Sequence, residues 1–166
     1  MSGFSTVGIA VRALVYASLF CALWIWLAHE AHLRSPPFGV DLPERAAPIG
    51  IALMAMGAVL MAVCIAAFVL RGSGTPMPLD PPLEFVASGP YRWVRNPMYI
   101  GMFVFLVGYS LCAASFGALL VAFGMLAAAH LFTVLYEEPG LERRFGESYR
   151  KYRRTTRRWI PGPPRS

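Results

Sequence analysis

NPMYIGMFVFLVGYSLCAASFGALLVAFGMLAAAHLFTVLY, residues 96–136, runs for 41 residues without a charged side chain. As a single helix rising 1.5 Å per residue it would reach roughly 60 Å, about twice the ~30 Å hydrocarbon thickness of a bilayer. A break near Ala114-Ser115-Phe116-Gly117 would fold the run into an antiparallel membrane hairpin. Its start and finish then return to one membrane face. The polar stretch SGPYRWVRNPMY, residues 88–99, leads into the run, and YEEPGL, residues 136–141, leads out of it. A hairpin makes these two motifs neighbours, so a polar site is expected where they meet.

The rest of the composition supports a membrane fold. Of 166 residues, 57% are hydrophobic and 14% charged, against roughly 25% charged in a soluble domain. There is no room for a separate soluble catalytic domain, and no Gly-x-Gly-x-x-Gly marks a strand-to-helix junction. Cys21, Cys64 and Cys112 fall one per apolar segment without metal-ligand spacing, as buried, reduced packing residues do. The first residues lack a basic region, short apolar core and small-residue cleavage site in that order, so a removable signal peptide is not expected.

Hydropathy and breakers predict an all-α integral membrane domain with four spans, about 7–28, 46–70, 97–113 and 116–136. Arg12 can snorkel near the start of the first span, and Trp24 and Trp26 fall at its far end, where interfacial aromatics belong. A polar, proline-bearing connection, His29 to Arg45, follows. The second span is uncharged throughout, and its Gly50 and Gly57 suit close helix contact in lipid. Beyond the fourth span, Leu141, Phe145, Tyr149 and Tyr152 recur at helical spacing among arginines. That pattern predicts a basic amphipathic helix over about 137–154 lying on the membrane surface, where it would anchor to anionic headgroups or also cover the site. With four spans, one face carries Arg12, Arg71, Arg92, Arg95 and nine Lys or Arg from Arg143 to Arg165, and the other only Arg34 and Arg45. Positive charge stays inside, so the motif-bearing face is expected to be cytoplasmic.

Several polar residues could carry chemistry. Glu137 and Glu138 close the fourth span, where the helix dipole opposes negative charge. Either they are a solvated helix end, or Arg92, Arg95 or a cationic ligand compensates them. In Arg95-Asn96-Pro97, proline suits the first turn of a helix and asparagine is a favoured N-cap. This is a well-capped third span whose free N–H groups can also bind an anion. Tyr91, Trp93 and Tyr99 offer aromatic faces. His130 lies two turns before Glu137 on the same helix face, either as a packing residue or as a base. His29 and His32 are three apart rather than four, so no zinc-protease pattern and no metal site is expected.

Residues 88–101 (SGPYRWVRNPMYIG), 136–141 (YEEPGL) and 145–152 (FGESYRKY) resemble the isoprenylcysteine carboxyl methyltransferase family and the related phospholipid N-methyltransferases. The likeness covers about Thr75 to Pro161. It implies an integral-membrane enzyme using S-adenosylmethionine, with a cofactor pocket at the cytosolic face. By position, Leu83, Glu84, Phe85 and Val86 would contact the cofactor through backbone. Tyr91, Asn96, Pro97, Met98 and Tyr99 would line the pocket, and Glu137 would bind the cofactor. The eukaryotic carboxyl methyltransferases have histidine at the position of Asn96, and asparagine cannot titrate near neutral pH. They also carry a substrate-clamping arginine where this chain has Thr133, whose hydroxyl cannot make a bidentate carboxylate clamp.

The sequence therefore points to methyl transfer from S-adenosylmethionine to a lipophilic acceptor in a bacterial inner membrane. Arg95 and Thr133 would face the acceptor, and Glu138 or His130 would take a proton if the acceptor is an amine. A phospholipid N-methyltransferase and a non-catalytic protein of the same fold are the alternatives. A transporter usually places an ionisable residue in mid-span, and here the carboxylates stand at span ends. No nucleic acid is expected as partner. The charge asymmetry predicts that, in intact cells, a membrane-impermeant thiol reagent labels a single cysteine at position 37 but not one at position 74. The reverse pattern would overturn the orientation.

Overall fold

A charge inside lipid is costly and a crossing helix needs about 20 apolar residues, so the spacing of charges in this chain dictates a few long helices. The computed structural model describes residues 6–34, 44–71 and 87–163. Its helices are α1 (Thr6–Arg34), α2 (Ala47–Arg71), α3 (Pro97–Cys112), α4 (Phe116–Phe132), α5 (Glu138–Phe145) and α6 (Glu147–Thr155). Short 3₁₀ turns occupy Glu44–Ala46 and Gly89–Arg92, and a wide π turn occupies Thr133–Glu137. Among the described residues there is no strand, and the class is all-α. Three stretches, Leu14–Arg34, Ala47–Ala67 and Phe116–Phe145, are long and apolar enough to cross a membrane. The 16-residue α3 is apolar but shorter. Large side chains such as Leu19, Ile51, Val59 and Leu120 stand exposed, an arrangement suited to lipid rather than water.

The chain divides into two compact units, one of residues 1–19, 62–97 and 131–166, the other of residues 20–61 and 98–130. The second unit is organised by glycine. Gly50 and Gly57 on α2 and Gly101 and Gly108 on α3 are each seven residues apart, and they face each other crosswise. A Cβ on Gly50 would lie 2.6 Å from the carbonyl oxygen of Gly108, and one on Gly101 would lie 3.0 Å from that of Gly57. The helices thus meet backbone to backbone, which maximises van der Waals contact where lipid removes the hydrophobic drive for association. At one end of this seam Cys112 Sγ donates to the Ala47 carbonyl.

The α3–α4 connection is as short as the sequence implied. Residues 113–115 separate the helices, and Ala114 adopts φ 47°, in the left-handed region. The Ser115 hydroxyl accepts the Ala118 N–H at 3.1 Å and so caps α4. Phe103 and Phe123, at similar distances on either side of the turn, pack edge to face with centroids 5.3 Å apart. The two helices are antiparallel.

Three boundaries differ from expectation. First, α1 continues beyond Ala28 to Arg34, through residues read as a connection. An i,i+4 ion pair of Glu30 with Arg34 at 2.8 Å and a 3.0 Å hydrogen bond between His29 Nδ1 and the Tyr109 hydroxyl hold these turns helical. Second, the single surface helix expected over 137–154 is two helices. Gly146, at φ 54°, ends α5 with its N–H on the Glu142 carbonyl, and α6 begins at the next residue. Third, the uncharged run ends at Tyr136 but the helix does not, and it continues through Pro139. Proline there lacks an N–H and would crowd the carbonyl four residues back, and the wide turn just before it gives the ring room.

The glycine seam yields a direct test. Gly57→Ala should lower thermal stability in detergent by about 1–3 kcal/mol, because backbone must separate to admit the methyl group. Gly124→Ala, where the added Cβ meets nothing within 4 Å, should change stability by less than about 1 kcal/mol, in the stabilising direction.

Candidate functional site

The polar groups of the first unit are built around the chain that enters α3. Gly89, at φ 59°, supplies the backbone conformation that lets Pro90 open a 3₁₀ turn, and the Tyr91 N–H closes on the Ser88 carbonyl at 3.2 Å. Tyr91 is turned inward and buried. Its phenol donates to the Cys64 thiol on α2, and its carbonyl accepts the Tyr152 hydroxyl of α6 at 2.7 Å. Burial pushes the Tyr91 phenol well above its usual range, and Cys64, Tyr152 and Glu137 add to the shift.

Glu138 is the most connected charge. Only 6% exposed, it accepts bidentate hydrogen bonds from Arg158 Nε at 2.8 Å and Nη2 at 2.9 Å. Arg95 Nη1 lies 2.9 Å from the Oε1 oxygen, a charge contact off the hydrogen-bonding direction. Arg95, with a side chain 10% exposed, also donates to the buried Tyr149 hydroxyl. The carboxylate in turn holds the Arg158 guanidinium above its already high range. A buried anion flanked by two guanidinium groups satisfies the requirement that buried charge be paired.

Beyond α6 the chain returns to this cluster. The Arg95 N–H donates to the Arg157 carbonyl at 2.8 Å, Asn96 Nδ2 to the Arg158 carbonyl at 3.3 Å, and the Gly162 N–H to the Trp93 carbonyl at 3.0 Å. Farther out, Glu142 pairs with Arg153 at 2.9 Å, while Glu147 pairs with Arg150 and Arg154. On the opposite arm, the π turn is closed by the Glu138 N–H on the Thr133 carbonyl, five residues back. Within it, the buried Thr133 hydroxyl donates to Glu137 Oε2 at 3.0 Å. Wide turns of this kind are frequent at functional sites.

Of the residues singled out from sequence, Tyr91, Arg95, Asn96, Pro97, Thr133, Glu137 and Glu138 all belong to the first unit. Met98, Tyr99 and His130 belong to the second. There Tyr99 stands edge-on to Phe20 with centroids 6.0 Å apart, and His130 is exposed in the last turn of α4. Leu83, Glu84, Phe85 and Val86 lie outside the described residues. Glu138, read as a candidate base, is an ion-pair hub whose two oxygens both accept hydrogen bonds from Arg158. Sequence reasoning missed Arg158, which is one arginine in a tract of seven basic residues from Arg150 to Arg165. Nothing in that tract distinguishes it.

The phospholipid methyltransferase family model matches residues 46–148, from the start of α2 into α6. This chain belongs to that family of integral-membrane methyltransferases. With its apolar helices, it is an integral membrane protein. Among curated proteins, none matches the chain.

Burial, reinforced by the Glu138 charge and partly opposed by Arg95, pushes the Tyr149 phenol from an ordinary 10.0 to about 12. The folded state therefore holds this proton more tightly than the unfolded one. Its contribution to stability is complete below pH 10 and lost as pH rises towards about 12. Thermal unfolding in detergent should show that alkaline loss, and Tyr149→Phe should reduce it, leaving the part due to the other buried phenols, Tyr91 and Tyr152.

Proposed function

We propose that this protein transfers a methyl group from S-adenosylmethionine to an amphiphilic lipid, at a site formed by Tyr91, Arg95–Pro97 and Glu137. The reading is carried by Glu137, whose carboxylate is held by Thr133 in the same unit as the buried Arg95. The donor set suits the cofactor. Among the described residues, Ser88 Oγ and Arg95 Nε are buried with no hydrogen-bond partner, and such atoms call for an acceptor. An α-carboxylate provides one. The Glu137 carboxylate suits the cofactor's ammonium, sulfonium or ribose hydroxyls, and the buried Tyr91 would pack behind the pocket. Family likeness alone would add Leu83, Glu84, Phe85, Val86, Met98 and Tyr99 to the cofactor contacts.

When bound, the cofactor supplies an electrophilic methyl group on a sulfonium. The protein's part is to orient it, exclude water and admit the acceptor. We read four spans, with α3 as the short third one, and place the site on the cytoplasmic face of a bacterial inner membrane. There α5 and α6 would lie along the surface with their arginines towards anionic headgroups. An acceptor could then enter from lipid with its tail still in hydrocarbon. Thr133 presents a hydroxyl already committed to Glu137, so the site lacks the arginine clamp that a prenylcysteine carboxylate needs. That favours a phospholipid-like amine as the acceptor.

The test is incubation of the purified protein with labelled S-adenosylmethionine and either phospholipid vesicles containing a primary amine headgroup or a prenylcysteine analogue. Label should enter the lipid and not the analogue. Glu137→Gln should keep its fold and bind the cofactor on the order of 10- to 100-fold more weakly by calorimetry, as loss of a charge-assisted hydrogen bond requires. Unchanged affinity would make Glu137 a helix end and no more.

A further inference from the structure

Among the described residues, Arg158 touches both arms of the proposed site through two different groups. Its guanidinium grips Glu138 in a bidentate pair, and Glu138 directly follows Glu137 at the end of the π turn. Its carbonyl receives the side-chain amide of Asn96, directly before α3. Neighbouring main-chain bonds, Arg95 N–H to Arg157 C=O and Gly162 N–H to Trp93 C=O, dock residues 157–162 along residues 93–96. The separation of Asn96 from Glu137 is thus set through residues 157–162 together with the direct Arg95–Glu138 contact. These residues lie beyond the stretch 46–148 that defines the family.

We propose that residues 156–162 form a strap belonging to the site, and that Arg158 is a positioning residue which fixes Asn96 and Glu137 at the spacing needed for S-adenosylmethionine. The proposal rests on the methyltransferase reading above. Its physical basis is that neither arm is rigid alone. A π turn has poorer intrinsic hydrogen bonding than an α-helix and persists where tertiary contacts hold it. The segment 93–96 spends the Arg95 N–H and the Trp93 carbonyl on the strap rather than on regular secondary structure. A planar, bidentate guanidinium constrains both distance and orientation, which a lysine ammonium cannot do.

The experiment compares wild type with Arg158→Lys, Arg158→Gln and Arg158→Ala in detergent or nanodiscs, with three readouts. Hydrogen exchange at the amides of Arg95 and Gly162 reports strap docking. Calorimetry reports S-adenosylmethionine affinity, and steady-state kinetics on the phospholipid acceptor separate the two substrates. Arg158→Gln should speed exchange at both amides and raise KM for S-adenosylmethionine about tenfold or more, with KM for the acceptor and kcat at saturating cofactor within about twofold. Arg158→Lys should fall between Gln and wild type, and should fold even if Arg158→Ala does not. A purely structural residue would lower active protein without this split in KM. Faster exchange with unchanged cofactor affinity would overturn the proposal and leave the methyltransferase reading intact. A wild-type protein with slow exchange at both amides but no S-adenosylmethionine binding would overturn that reading, and the proposal with it.

Discussion

A carboxylate that leaves water must take positive charge with it, and the first unit is arranged around that demand at Glu138. Its two guanidinium partners come from the segment before α3 and from a point 20 residues downstream. Three stretches far apart in sequence are therefore bound to one another by a single side chain. Removing one member of such a buried group strands the others and typically costs about 3–5 kcal/mol, more than the intact group contributes relative to an apolar substitute. Its value lies in selecting one arrangement of chain. Tyr149 and Asn96 extend the selection outward, one taking a hydrogen bond from Arg95 and the other giving one to the Arg158 carbonyl.

The second unit solves a different problem. Within lipid, apolar side chains gain little by leaving one apolar surroundings for another, so association has to come from close contact. The four glycines of α2 and α3 bring main chains together at two levels a heptad apart. A repeat of seven keeps a seam on one side of both helices. Aromatic contacts, Phe103 with Phe123 and Phe20 with Tyr99, add to the packing.

Much of this was legible in the sequence, for reasons that differ by residue. The hairpin followed from 41 uncharged residues that one crossing cannot use, and the stretch Ala114-Ser115-Phe116-Gly117 gave the place of the break, though not that Ser115 caps α4. Gly50 and Gly57 announced a close contact without naming its partner, because nothing in α2 alone says which helix supplies the facing glycines. The meeting of Arg95 with Glu138 was foreseen as one way to compensate a carboxylate pair. The division of labour within the pair was not, because adjacent glutamates look alike until a π turn points one at Thr133 and the other at two arginines. The break at Gly146 was hidden by helical spacing that runs unbroken from Leu141 to Tyr152. Pattern reports which face is apolar, not whether the axis is continuous.

The π turn at Thr133–Glu137 also has a meaning in the history of the chain. Such a turn is equivalent to an α-helix into which one residue has been inserted, and each added residue rotates the downstream chain by about 100°. A helix crossing lipid tolerates that insertion, since both sides of it are apolar and no loop need absorb the change. What moves is the polar end, so that one inserted residue re-aims two carboxylates and the proline after them. A new constellation of polar groups can thus arise at the end of a bland span without altering any residue within it.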